Sequence, residues 1–220
     1  DGLILAPPLS SNQTLIGLIR DLGLPIVLMG NAKAGDQQST VVFNDAVAGQ
    51  KMTDLLISRG HTRIGFISGP VSHPDSKQRE EGYKLALSQE GLDVDPDLMR
   101  EGDFTFRSGM RQADKLLELD NPPTAIFAAN DDMAAGVVAA AQRRSIQVPG
   151  QLSIVGFDDT AIAAAIWPRL TTLHQPIAQM AEAAINIISE VTSGGWNGKS
   201  IHVVNDTIQI IERESLAPPA

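Results

Sequence analysis

The sequence predicts an α/β fold built on mostly parallel sheets, and three observations point there. Short apolar runs alternate with longer segments whose apolar residues recur at helical spacing, and glycine or proline punctuates most of the changeovers. Hydrophobic residues make up 43% of the 220 positions against 20% charged, which is ample material for a buried core and argues against disorder. The length fits one large domain or two small ones. Strands alternating with helices form right-handed β–α–β units, and such sheets take ligands beyond the carboxyl ends of their strands.

In order, Gly2 to Ala6 is an apolar run stopped by Pro7-Pro8, a buried-strand pattern. Ser10 to Leu22 carries Leu15, Ile16, Ile19 and Leu22 at helical spacing and ends at Gly23. Pro25 to Met29 and Thr40 to Phe43 are β-rich runs. Asp45 can cap the next helix, where Met52, Leu55 and Leu56 line one face and Gly60 lies just past the end. A strand over Arg63 to Ser68, closed by Gly69-Pro70, precedes a helix over Ser76 to Glu90. After Phe104 comes a helix to about Leu119, and Asn121-Pro122-Pro123 breaks the chain before a strand over Thr124 to Ala129. Asp132 to Arg144 reads as a helix with Met133, Val137, Val138 and Ala141 on one side, and Ser153 to Phe157 as a strand. Thr160 to Trp167 is a short, wholly apolar helix ended by Pro168, followed by a strand over Leu170 to Leu173. The cleanest stripe of all is Ile177, Met180, Ala181, Ala184, Ile188 and Val191, stopped by Gly194-Gly195, with a last strand over Thr207 to Ile211.

Composition excludes several chemistries. With no cysteine there are no disulfides, no thiolate catalysis and no cysteine-ligated metal. No run of eighteen apolar residues is present to span a membrane, and the first residues lack the basic, then apolar, pattern of a signal peptide. A net charge of -9 repels phosphate backbones, so any action on DNA needs another segment. The glycine-rich phosphate loops, the nucleophile elbow and the paired-histidine zinc motif are all absent. The four histidines, at 61, 73, 174 and 202, show no ligand spacing on one helix face, so neither a metal nor a cofactor is expected, and nothing points to an enzyme.

The strand ends carry the polar chemistry. After Ile64 to Ser68 come Ser72, His73, Asp75 and Arg79; after Ala125 to Ala129 come Asn130, Asp131 and Asp132; after Ile154 to Phe157 come Asp158, Asp159 and Thr160. Three neighbouring strands would aim a guanidinium, an amide and a carboxylate into one crevice, the mix of donors and acceptors that vicinal hydroxyls require. The plainer reading is that the Asn/Asp clusters cap helices and that Arg79 is a surface ion-pair partner. Phe43 and Phe104 also end strands, where an aromatic can stack on a sugar face or simply fill the core. His61 reads as structural, and His73, in a loop, as the better candidate for ligand contact.

Gly60-His61-Thr62-Arg63-Ile64-Gly65-Phe66-Ile67 resembles a "GHxxIxxI" stretch of the lactose-repressor/galactose-repressor family of bacterial transcription regulators. Arg79 with Gly82-Tyr83, Ala128-Ala129-Asn130-Asp131 with Ala134-Ala135-Gly136, and Ile154-Val155-Gly156-Phe157-Asp158-Asp159 resemble it too, as do Leu170 to Pro176 and Arg213-Glu214-Ser215. Order and spacing agree across nearly the whole chain. The resemblance implies a two-lobed periplasmic-binding-protein-like fold, each lobe a mostly parallel sheet flanked by helices. An amino-terminal lobe would comprise 1–43 plus 176–202, and a carboxyl-terminal lobe 44–175 plus 203–220. It implies a small effector, of the sugar class, bound by Arg79, Asn130, Asp158 and Gln175, with Phe43, Phe104 and Met29 as apolar walls and His73 and Asp75 tuning specificity. Gly30 stands where some sugar-binding members carry an acidic residue, and Ala6 where some carry a polar one. The family's DNA-binding headpiece and first two β–α units have no counterpart here, so the chain reads as part of a longer cytoplasmic repressor whose headpiece contacts operator DNA. A periplasmic sugar-binding protein of a transport system shares the fold and is the alternative.

The apolar segment Ala161 to Trp167 has no polar face, so it is either core or covered by a partner. Pro168 and the Asp158-Asp159 turn at its ends favour an outer position, which predicts a homodimer through Ile166 and Trp167 with Met133 and Val137 of the preceding helix.

Overall fold

The computed structural model describes residues 2–30, 38–194, 201–204 and 208–220. In chain order the elements are β1 (Leu3–Leu5), α1 (Gln13–Asp21), β2 (Ile26–Met29), β3 (Ser39–Phe43), α2 (Asp45–Ser58), β4 (Ile64–Ser68), α3 (Pro74–Gln89), β5 (Met99–Glu101) and α4 (Phe106–Leu117). They continue with β6 (Ala125–Ala128), α5 (Asp131–Arg143), β7 (Ser153–Val155), α6 (Ala161–Ala165), β8 (Thr172–His174), α7 (Ile177–Thr192), β9 (Ile201–Val204) and β10 (Gln209–Ile211). The chain divides into two compact units, the first comprising Asp1–Asn44, His73–Asp75 and Pro176–Thr207, the second Asp45–Ser72, Ser76–Gln175 and Ile208–Ala220.

The first unit holds a sheet of order β1-β2-β3-β9 with every pair parallel. Its core forms where Ile16 and Ile19, on one face of α1, meet Leu5, Ile26 and Leu28. The Asn12 side chain caps α1 by accepting from the Leu15 N–H at 3.0 Å, and Gly23, at φ 71°, supplies the left-handed residue past its end. α7 lays its Met180 and Ala184 face against the sheet.

The second unit holds a parallel sheet of order β5-β4-β6-β7. The central strands β4 and β6 are buried along their whole length, as strands covered on both faces must be, and so is β7 at the end of that order. Phe66 stacks on Tyr83 at 4.8 Å and meets Phe127 edge-on at 5.2 Å, while the Tyr83 hydroxyl donates to the Ile64 carbonyl at 2.8 Å. β8 pairs antiparallel with β10 and is joined to β7 by a Val155–Thr171 bridge. The carboxyl-terminal tail is tied down by polar contacts: His61 Nε2 lies 2.9 Å from the Ala217 carbonyl, and Ser215 Oγ donates to the Ile154 carbonyl at 2.5 Å. Burial pushes the His61 imidazole below its usual range, against the Ala217 contact.

Several sequence expectations change. β5 and β9 were not foreseen, and β9 runs two residues past the lobe boundary expected at 202 because Val204 still pairs with Phe43. α6 spans only Ala161–Ala165, with Ile166 already extended. The expected interface residues Met133 and Val137 are fully buried inside the second unit, where α5 packs on α4. Glycines permit that approach: a Cβ at Gly136 would lie 2.1 Å from the Phe106 carbonyl oxygen, and one at Gly109 2.2 Å from that of Met133. Met133 and Val137 therefore cannot reach a second copy. Trp167, by contrast, is 71% exposed. Thr207 and Gly195, expected at a strand start and a helix stop, lie outside the described residues.

Candidate functional site

In the second unit, the carboxyl ends of β4, β6 and β7 collect the polar side chains singled out above. α2 and α3 approach closely because Gly49 and Gly82 have no side chain: a Cβ at Gly82 would sit 2.0 Å from the Ala46 carbonyl oxygen, and one at Gly49 2.5 Å from that of Arg79. That contact sets Arg79, 5% exposed, beside the first turn of α2. Arg79 Nε donates to Asp45 Oδ1 at 2.7 Å and Nη1 to the Ala129 carbonyl at 2.5 Å. The guanidinium carbon lies 3.7 Å above the centre of the Phe157 ring, and Nη1 is 3.5 Å from Asp158 Oδ1. Charge pairing and ring contact together fix a buried cation whose fork is held at several points.

Asp158 sits in strained backbone. Its φ is 112° and that of Asp159 is 56°, a consecutive left-handed pair at the end of the β7 strand run. Asp158 Oδ1 accepts from Gln175 Nε2 at 3.0 Å. Burial pushes the Asp158 carboxyl up to about 7; Arg79 pulls it back, and Asp131, Asp45 and Asp132 add repulsion. The turn thus holds a carboxyl that can donate or accept.

Asn130 follows the capping reading: its Oδ1 accepts from the Met133 N–H at 2.9 Å at the start of α5, while its Nδ2 donates to the Phe104 carbonyl at 3.0 Å. The same side chain therefore anchors Phe104, whose φ of 64° is unusual for an aromatic residue. The Phe104 ring covers Gly69 so tightly that a Cβ there would lie 2.1 Å from its Cζ. Within the second unit Arg79, Asp158 and Gln175 are thus linked by contacts, and Asn130 and Phe104 form a second linked pair.

The other candidates belong to the first unit. Met29 ends β2 and Phe43 ends β3, 8% and 2% exposed. His73 Nδ1 stands 3.6 Å from Asp75 Oδ2. Gly30, at φ 83°, leaves room that the Asp75 carboxylate occupies, its Oδ2 being 3.0 Å from where a Cβ would stand.

Sequence reasoning missed Asp45 and Phe157 as site residues. Asp45 is the first residue of α2 rather than its cap, and its carboxylate holds Arg79. Its place directly after a strand end was the available signal. Asp131 was read only as part of a capping cluster. It is fully buried, accepting from Thr160 N at 2.7 Å and Thr172 Oγ1 at 2.5 Å, and burial raises its carboxyl despite these donors. Among the described residues no group of three or more His, Asp or Glu side chains is placed to hold a metal ion, and no helix is long and apolar enough to cross a membrane.

Parallel sheets with polar groups gathered at their carboxyl ends define a periplasmic-binding-protein-like domain, and the family model of that description matches residues 53–216. The chain is 33% identical over 190 residues to the transcriptional repressor PurR of Aliivibrio salmonicida, covering 86% of this chain and 57% of that protein. It therefore spans little more than half the length of that relative. A solved CelR–cellobiose complex superposes with a TM-score of 0.91 at 28% identity, covering 98% of this chain and 65% of the other. A sugar-binding regulator of the LacI family from Escherichia coli, solved with phosphate, gives 0.84 at 30% identity, with 99% and 77% covered. The chain belongs to the LacI (lactose-repressor) family of transcriptional regulators, of which it is a ligand-binding part.

Proposed function

We propose that this chain is the effector-binding part of a bacterial transcriptional repressor whose operator binding is controlled by a small polyhydroxylated ligand, a sugar or sugar derivative. The observation that carries this reading is the buried Arg79, fixed by Asp45 and the Ala129 carbonyl and facing the Asp158 carboxyl on the strained turn. A guanidinium fork beside a carboxyl that accepts or donates suits adjacent hydroxyls, each of which does both. Gln175 donates to Asp158 and helps hold this pair in place, while Asn130, at the end of the neighbouring strand β6, holds the Phe104 carbonyl. The cellobiose bound to CelR supports the ligand class.

The ligand acts by favouring one conformation of the protein over another, by its difference in affinity for the two. Operator contact falls to a headpiece outside this chain, because a net charge of -9 opposes phosphate contact. The protein works in the cytoplasm as a homodimer that covers Ile166 and Trp167. Calorimetric titration of the full-length protein with a sugar panel that includes cellobiose and ribose tests the assignment. Asp158→Ala is expected to weaken the best ligand by roughly tenfold or more while the fold is kept, since hydrogen bonds to charged groups contribute about 1.5–3 kcal/mol. Unchanged affinity would remove Asp158 from the site.

A further inference from the structure

Asp158 and Asp159 are neighbours whose carboxyl groups serve different partners. That of Asp158 meets Arg79 and Gln175. That of Asp159 turns to two elements elsewhere in the unit: Oδ2 lies 3.1 Å from His174 Nδ1, and Oδ1 accepts from Arg213 Nη2 at 2.6 Å. Arg213 is anchored in turn, its Nη1 donating to the Leu170 carbonyl at 2.8 Å and its N–H to Thr171 Oγ1 at 2.9 Å. Burial raises the Asp159 carboxyl, but the Arg213 and His174 donors together outweigh it and hold the group below its usual range.

The places these partners occupy give the arrangement its meaning. The chain leaves this unit after Gln175 and re-enters it at Ile208. His174 is one residue before the exit and pairs in register with Gln209, one residue after the re-entry. The Asp158–His174 bridge and the Asp158 N–H donating to the Leu173 carbonyl at 2.8 Å bind the turn to the exit strand β8. On the other side Asp131 holds Thr160 and Thr172, so the turn is fastened front and back. The Asp159–Arg213 pair is sheltered, with side chains 19% and 16% exposed. The Arg169–Glu214 pair next to it in sequence is open to solvent at 53% and 36%, where an ion pair contributes little.

We propose that Asp159, acting through His174 and Arg213, is a positioning residue that makes the Asp158 turn and the two chain crossings next to Gln175 and Ile208 move as one body. A ligand that shifts Asp158 thereby shifts the two strands that lead out of the unit. The proposal rests on the reading of Asp158 as a ligand contact, but its test does not need a ligand.

Amide hydrogen exchange on the ligand-free full-length protein reads the coupling directly. Asp159→Asn keeps the shape and removes the charge. It is expected to speed exchange roughly tenfold both at residues 158–160 and at β8 and β10, while the β4 and β6 amides stay protected. Arg213→Met should have the same pattern, and the double variant should add little to either single change, because both remove one interaction. Glu214→Gln, which breaks only the exposed pair, should leave all of these amides unchanged. Faster exchange confined to 158–160, or fully additive effects, would overturn the proposal. Should Asp159→Asn fail to fold by circular dichroism, His174→Ala takes its place, since that side chain is 45% exposed; the same paired response is expected, and its absence overturns the proposal equally. Failure here leaves the Asp158→Ala titration intact as the separate test of the effector reading.

Discussion

α5 and α6 are both rich in alanine and apolar residues, yet the second unit treats them oppositely. In α5 every residue from Met133 to Val138 is buried, and glycines on both α4 and α5 bring the two backbones into contact. In α6 only Ala163 is buried, and the segment ends on a Trp167 that is mostly open to solvent. The difference is one of length and support. α5 runs from Asp131 to Arg143, begins at a capped end after β6 and has a whole helix to pack against. α6 has five residues, no side-chain cap, and a backbone turned extended at Ile166. Apolarity alone does not say whether a helix is core or interface; what it can reach does.

The largest expected effect separates the two helices outright. Met133→Asp places an unpaired charge where no water reaches and should cost about 3–5 kcal/mol, enough to abolish cooperative thermal unfolding followed by circular dichroism. Gly136→Ala forces a Cβ toward the Phe106 carbonyl oxygen and should cost about 1–3 kcal/mol, read as a lowered denaturation midpoint. If it proves neutral, the helices have room to part and the contact is less strict than its geometry implies.

A pH experiment sharpens the contrast between the α5 end and the turn that leads to α6. The native Asp158 carboxyl, raised to about 7 from an ordinary 3.8, binds its proton more tightly than the unfolded chain does. Its contribution to stability is therefore complete below 3.8 and lost as pH rises through about 7. Asp158→Asn should flatten that fall, so that the variant gains on the parent in thermal midpoint toward neutral pH. A constant gap across the range would mean that the raised value is wrong.

The smallest effect on stability is expected at α6. Ile166→Asp with Trp167→Asp should lower the unfolding free energy by no more than about 1 kcal/mol, since Trp167 is 71% exposed and Ile166 only half-buried. In the full-length protein the same pair should convert a dimer to a monomer in sedimentation. A dimer that persists puts the interface elsewhere, and an unfolded variant returns this segment to the core.

Much of the fold was legible because its signals are local. β2, β4, β6 and β7 are short apolar runs bounded by proline, glycine or polar residues, and α1 and α7 carry stripes of the right period. β5, with its Met-Arg-Glu sequence, and β9 escaped because edge strands with exposed side chains have no apolar run to announce them. Among the candidate site residues, Arg79, Asn130 and Asp158 could be placed from their positions after strands, since a parallel sheet brings its strand ends together whatever the loops do.

What the sequence determined by itself was therefore the α/β class, the strand ends that carry the candidate polar groups and, through ordered motifs, the family. Only the tertiary structure decided that Asp45 grips Arg79 rather than capping α2, that Asn130 is committed to α5 and Phe104, and that Met133 and Val137 face α4 and not a second copy. Each of these turns on a partner distant in the chain. A carboxylate takes the nearest buried donor, and an apolar side chain the nearest dry surface, and which one is nearest is a property of the packed molecule.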